Sequence, residues 1–528
     1  MSSQTKTDEA VPLAPRGGGS FRSWLSRVPG WLRSALFRQS AGGRLTWRGV
    51  AGGVLFVVAG AAASLARTSG PGALNSTWIE DAGNFLQDGL HHSLLTNLTT
   101  QVNGYYYFVP RTVTAIAVAF PVAWAPGIMS AFAAAEYAMF GLIAYLASGP
   151  HLRSRWLRLL VAAPACVFPL GYTQVNNDLA TVQFIALYGL FWLLLWRPAT
   201  RAGQVCAPVV MLCATLTSIL PVFLAPLLAA RLIADRSKTA IAVAVCWAGG
   251  LVTQWTVQLR GISNRSNDLF TNPLWILGNY VTRAVPRALF GELALGGPGT
   301  NYSGAPVPLS IPDMAVHNAL IWGACAIVVA AVVIALARLT APHWPLAVTA
   351  LVFSVVLFVG EIVDNHPIVQ PRYVIAPALL LYTAIVALLR VRPMAKTAIV
   401  SDAHEADIPR GDDPPDEYSG FCLPGKARHS GGPKSRAFDP PSSASGGRRA
   451  GARRIRLRQV LSWAPVTVFA LLLAVVVGFN FRVVNTRSES PPWTAVVAAA
   501  SQACMKPGVA GYEYIHLWWH VQIPCSRV

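Results

Sequence analysis

Residues 78–111 read WIEDAGNFLQDGLHHSLLTNLTTQVNGYYYFVPR, and this stretch organises the chain. It follows a 19-residue apolar run at Trp47–Leu65 and precedes another apolar run. It carries adjacent carboxylates at Glu80 and Asp81, then Asp88, His91, His92, three tyrosines and Arg111. Ionisable groups held against a bilayer are costly, so those retained there are usually paired or functional.

Outward from this stretch the chain alternates apolar runs with short polar loops. Of its 528 residues, 54% are hydrophobic and 12% charged. The mean hydropathy is +0.46. A soluble globular domain carries about 25% charged residues. Apolar runs of about 20 residues are the length of membrane-spanning helices, whereas a β-barrel would show short alternating strands. The expectation is an all-α polytopic membrane protein with about eleven spans. Interfacial helices are expected in the first outer loop and in the outer loop at residues 258–313. The net charge of +19 resides largely in short inter-span segments. That distribution follows the positive-inside rule rather than a nucleic-acid-binding surface. It places the N-terminus in the cytoplasm and the C-terminus outside.

Four regions are expected. Residues 1–45 form a basic cytoplasmic segment and residues 46–390 a transmembrane bundle. Residues 391–458, rich in Pro, Gly, Ser and mixed charge, cannot bury enough apolar surface to fold and read as a disordered insertion. Residues 459–528 supply a last span and a short outer tail. Residues 112–126 are short and interrupted by Pro121 and Pro126, and are expected to lie at the interface or re-enter. Residues 205–233 are expected as two short helices meeting near Thr217, Ser218 and Pro221. Cys504 and Cys525 flank the tail and can pair outside the reducing cytoplasm. Asn75, Asn97, Asn264 and Asn301 match the glycosylation pattern, which outer loops satisfy readily by composition.

Three outer loops gather the chemistry. In the first, residues 81–92 fit a helix whose spacing sets Asp81, Asp88 and His91 or His92 along one face. Such carboxylates can serve as a general base toward a hydroxyl or hold Mg²⁺ or Mn²⁺ through Glu80, Asp81 and Asp88. The same pattern equally describes a capped, solvated loop helix. The second loop offers Gln174, Asn176, Asn177 and Asp178. The third offers Glu361, Asp364, His366 and Arg372. Arg372 and His366 suit a phosphate, given the planar donor fork of arginine. They suit internal pairing with Asp364 or Glu361 at least as well. Glu136 stands alone in an apolar run.

The layout resembles the GT-C superfamily of integral-membrane glycosyltransferases, which use polyprenyl-phosphate-linked sugars. Trp78-Ile79-Glu80-Asp81, Tyr105 to Arg111, the Asn176-Asn177 loop and Arg372-Tyr373 carry the resemblance, over roughly residues 46 to 390. It implies that Asp81 or Glu80 takes the proton of an acceptor hydroxyl on a glycan, lipid or protein. Arg372, with Arg111 and His366, would neutralise the departing lipid phosphate. Asp88, His91, His92, Asn176, Asn177 and Tyr373 would line the substrates. The reaction would invert the anomeric centre on the extracytoplasmic face of a plasma membrane. The soluble C-terminal domain that some members carry is not expected here, with about 50 residues after the last span, and the 391–458 insertion is a further departure. Two other readings compete. A lipid-linked glycan polymerase or ligase would use Arg260, Arg265, Arg283 and Arg287 of the 258–313 loop. A transporter would show an internal repeat and charges deep in its spans.

Overall fold

The computed structural model describes residues 30–40, 46–102, 104–168, 170, 177–259, 271–292, 314–364, 369–392, 445–482, 486–516 and 519–528. Asn176 and His366 lie outside these residues, as do the candidate glycosylation sites Asn264 and Asn301 and most of the expected disordered insertion.

Helices dominate. The long ones are α1 (Trp47–Leu65), α2 (Phe108–Ala117), α3 (Ala125–Ala147), α4 (Val182–Leu195), α5 (Arg201–Thr217), α6 (Ala225–Ala234) and α7 (Lys238–Leu259). After them come α8 (Met314–Leu336), α9 (Trp344–Asp364), α10 (Ile375–Leu388), α11 (Ser445–Phe479) and α12 (Trp493–Cys504). Among the described residues, seven helices are long and apolar enough to cross a membrane. They correspond to seven of the eleven expected spans.

The remaining four expected spans are short. Residues 159–170 fall in two pieces, Arg155–Ala162 and Pro164–Val167. A proline cannot supply the amide a continuous helix needs there. Helix α4 has 14 residues, about 21 Å at 1.5 Å per residue, against a hydrocarbon core of about 30 Å. Helix α5 and the Leu220–Leu224 turn that leads into α6 form the two expected short helices, parting at Ser218. Residues 112–126 contain no spanning helix of their own: α2 has ten residues and ends before the Val122–Trp124 turn.

Every residue of α4 and of α10 is buried. A helix apolar on all sides belongs at the centre of a bundle. Helix α3 packs on α1 and α4, α9 on α10, and α5 on α7. Two glycines allow close helix–helix approaches: a Cβ on Gly189 would meet Phe140 at 2.1 Å, and one on Gly250 would meet Thr215 at 2.0 Å. By contrast α1, α7, α8 and α11 expose large apolar side chains such as Val54, Trp255, Trp322 and Val468. In water that arrangement would be unfavourable by about 25 cal/mol per Å²; against lipid it is the expected outer surface. The chain is a helical membrane protein.

Residues 391–464 form a second compact unit. Of these, residues 391–392 and 445–464 are described, the latter as the first part of α11.

The tail corrects the all-α expectation. After α12, strands β1 (Gly511–His516) and β2 (Trp519–Pro524) pair antiparallel, with Gly511 opposite Pro524 and His516 opposite Trp519. The expected Cys504–Cys525 disulfide is formed and ties α12 to the end of β2. Trp493 is buried and donates its indole N–H to the Val122 carbonyl at 2.9 Å.

Candidate active site

Five apolar residues of the 78–86 segment point inward: Trp78, Ile79, Ala82, Phe85 and Leu86 are buried. Their spacing is helical. The backbone adopts a π-helix over Asp81–Leu86, then an α-helix over Gln87–His91. Single π turns recur at functional sites because the widened turn re-aims side chains. Here Glu80 and Asp81 take different environments.

Asp81 turns into the protein and is buried. Its carboxylate accepts from Leu179 N at 3.1 and 3.0 Å and from Ala180 N at 3.2 Å. Those amides come from the loop before α4. In that loop Asp178 Oδ1 accepts from Thr181 N at 2.8 Å and Thr181 Oγ1 at 2.7 Å. Asn177 holds the loop with φ at 58°. It is locked to the end of α1 by Ser64, which donates to Asn177 Oδ1 at 2.7 Å and accepts from Asn177 Nδ2 at 2.9 Å. Behind the loop lies Arg487, from the chain after α11. It donates to the carbonyls of Asn177, Ala73 and Ser76 and to the hydroxyls of Ser76 and Ser130. Burial pushes the Asp81 carboxyl up to about 7, opposed by the Leu179 amide and the Arg487 charge. Asp178 is raised well above its ordinary value, again by burial and then by the neighbouring Asp81 charge.

Glu80 instead lines a narrow cleft of about 70 Å³ with Tyr105, Tyr107, Gln183, Phe184, Glu361 and Arg372. Arg372 Nη1 lies 3.8 Å from Glu80 Oε1. That distance carries Coulomb attraction without a hydrogen bond. The guanidinium carbon sits 5.4 Å from the Tyr373 ring centre and 5.9 Å from that of Phe184. Among the described residues, Glu80 Oε2 and Arg372 Nε have no hydrogen-bond partner. Glu361, at the end of α9, is buried on the same cleft. Tyr107 enters α2 with φ at 46°, a conformation that costs a non-glycine residue about 1–3 kcal/mol. The turn it ends is pinned by Gln254 of α7, whose Oε1 accepts from Tyr106 N at 3.2 Å.

Other expected site residues lie elsewhere. Arg111 is fully buried and donates from both Nη atoms to Asp88 Oδ2 at 3.0 Å, and to Asn97 Oδ1 at 2.9 Å. It is committed to an internal ion pair joining two helices and does not face the cleft. Asn97, a glycosylation match, is buried in the same pair of contacts. His91 Nδ1 is 2.8 Å from the Gln87 carbonyl, and His92 lies 3.8 Å from Asp88; neither lines the cleft. Asn177 is a loop-building residue. The expected cation set also comes apart: Asp81 faces amides, Asp88 faces Arg111, and Glu80 faces Arg372. Among the described residues no three carboxylate, His or Cys groups gather as a metal centre. As the described residues stand, Glu80, Asp81 and Asp88 do not converge on a divalent cation.

Several contributors escaped sequence reasoning. Gln183 and Phe184 sit inside an apolar run, where nothing marks them. Arg487 lies in NTRSES, which reads as an ordinary basic flank of a span. No family model, curated protein or solved structure matches the chain.

Proposed function

We propose that the chain is an inverting glycosyltransferase of the extracytoplasmic face, taking its sugar from a polyprenyl phosphate donor. The observation that carries this reading is the meeting of Glu80 and Arg372 in one cleft, each with an uncommitted polar atom. A base and an anion-binding guanidinium facing each other are what transfer from a phosphate leaving group needs. The GT-C resemblance supplies the reaction class.

In this reading Glu80, rather than the buried Asp81, takes the proton of the acceptor hydroxyl. The acceptor oxygen forms its bond to the anomeric carbon as the bond from that carbon to the phosphate oxygen breaks. The electron pair leaves with the lipid phosphate, and Arg372 meets the charge. Tyr105, Tyr107, Phe184 and Tyr373 provide the aromatic walls against which a sugar stacks. The cleft is smaller than a sugar, so the Tyr105–Tyr107 turn opens for entry, as active-site loops commonly do. The acceptor is an envelope glycan, glycolipid or protein.

The direction rests on charge. Arg38, Arg153, Arg197 and Arg390 collect around the His151 end of α3, linked by Arg197 Nη1 to the Phe37 carbonyl and Arg390 Nη1 to the His151 carbonyl. The positive-inside rule assigns that end to the cytoplasm of a plasma membrane and the cleft to the other side.

The test is transfer by purified protein from a panel of polyprenyl-phosphate sugars, with and without EDTA. Release of lipid phosphate that Glu80→Gln abolishes is the expected result, and it should persist in EDTA because Glu80, Asp81 and Asp88 each already face a protein positive charge or amide. Undiminished transfer by Glu80→Gln sinks the assignment.

A further inference from the structure

A second cavity, of about 900 Å³, opens at the other end of α4 from the cleft. Phe184 of α4 lines the cleft and Leu193 lines the cavity, nine residues or about 14 Å apart along the helix axis. The cavity walls are the last turns of α3, through Leu142 and Leu146, and the face of α5 from Ala202 to Val210. That stretch of α5 gives a slot about 12 Å long. Its lining is overwhelmingly apolar apart from one edge.

The edge is arginine: Arg38, Arg153 and Arg158. Arg38 and Arg153 also border the adjoining depression with Arg390. Among the described residues no carboxylate pairs with any of these four. Asp235 is taken by Arg197 at 2.8 Å. Arg158 donates through Nε to the Tyr145 carbonyl at 2.9 Å and lies over the Tyr145 ring at 3.9 Å. Arg38 donates through Nε to the Ser34 carbonyl. These contacts fix the two side chains through Nε and leave their terminal nitrogens for an anion. Burial, then the charges of Arg153 and Arg38, holds Arg390 below its ordinary value. Arg153 itself has φ at 55° and ψ at −47°, a conformation a non-glycine residue adopts at a cost. Like charges crowded with no acid paired to them among the described residues, one of them on a strained backbone, call for an anion.

From the apolar slot and its arginine edge together, we infer that this cavity binds an anionic phospholipid, its phosphate against Arg38, Arg153 and Arg158 and an acyl chain along α5. Apolar walls alone would take any lipid. The arginines select the charged headgroup, and the slot selects a lipid over free phosphate.

The experiment is native mass spectrometry and thermal unfolding of the full chain in detergent. Added lipids are phosphatidylglycerol and phosphatidylcholine of identical chains, with inorganic phosphate as the third arm. The expected result is about tenfold higher retention of phosphatidylglycerol, equivalent to about 1.4 kcal/mol, with a rise in Tm from that lipid alone. Arg153→Gln with Arg158→Gln should remove the preference while leaving weak retention of both lipids. Cys206→Trp, which fills the slot and leaves the arginines intact, should lose retention of both. Equal retention of the two lipids by the wild-type chain overturns the inference. So does undiminished phosphatidylglycerol retention by Cys206→Trp. A Tm rise from inorganic phosphate equal to that from the lipid assigns the arginines to a free anion and overturns the lipid occupant.

Discussion

Glu80→Gln keeps the shape of the side chain and removes its basicity. If Glu80 takes the acceptor proton, kcat should fall by about 10²–10⁴-fold, with donor binding retained, as equilibrium binding of a non-transferable donor analogue would read. Arg372→Gln should instead lose about 10²–10³-fold through the leaving phosphate, with binding weakened too. Asp81 belongs to a different experiment. Its carboxyl is raised from an ordinary 3.8 to about 7 in the folded protein. Between those values the folded state holds a proton that the unfolded chain has released, so stability falls as pH rises through that window. Wild type should therefore unfold at lower temperature at pH 8 than at pH 5. Asp81→Asn should show a smaller difference, because Asn Oδ1 still accepts from both amides without titrating. Thermal unfolding in detergent at the two pH values checks this; an unchanged difference would remove Asp81 as its source.

At the scale of elements, the segment bearing the acids is held from two sides. The Asp88–Arg111 pair joins the Gln87–His91 helix to α2, and the hairpin lies over the same helix, with Gln522 N donating to Gln87 Oε1 at 2.7 Å. Removing Asp88 leaves the buried Arg111 charge uncompensated apart from Asn97. Such losses cost about 3–5 kcal/mol, so Asp88→Asn should lower Tm markedly. The protein that remains folded should keep the wild-type KM for donor. A raised KM with unchanged Tm would return Arg111 to the substrate site.

At the scale of the molecule, the tail is part of the frame around the candidate site. Arg487 reaches under the Asp178 loop, Trp493 reaches Val122, and the hairpin covers the residues next to Glu80. The Cys504–Cys525 bridge spans a sequence separation of 21. Loops of that order stabilise by about 3 kcal/mol in the chain-entropy model. Cys504→Ser with Cys525→Ser should lower stability by roughly that amount, and transfer should fall with it as the cover over residues 81–91 loosens. Full activity in the double variant would show that the hairpin is dispensable to the site.

What the chain determines unaided is whatever hydrophobicity and charge encode locally. Seven spans could be read from run length alone, because a bilayer asks only for a continuous apolar helix. The short pair around Ser218, the disulfide and the clustering of acids between apolar runs were legible for similar local reasons. Tertiary structure decided what local pattern cannot carry. Adjacent Glu80 and Asp81 differ in role because a π turn sends one to the cleft and the other to amides about 98 residues further along the chain. Arg372 and Arg111 look alike in sequence, yet one faces a cleft and the other a buried carboxylate. Arg487, Gln183 and the arginines of the second cavity acquire meaning only from what packs beside them. Electrostatic function depends on separation in space and on the exclusion of water, and both are set when distant segments meet.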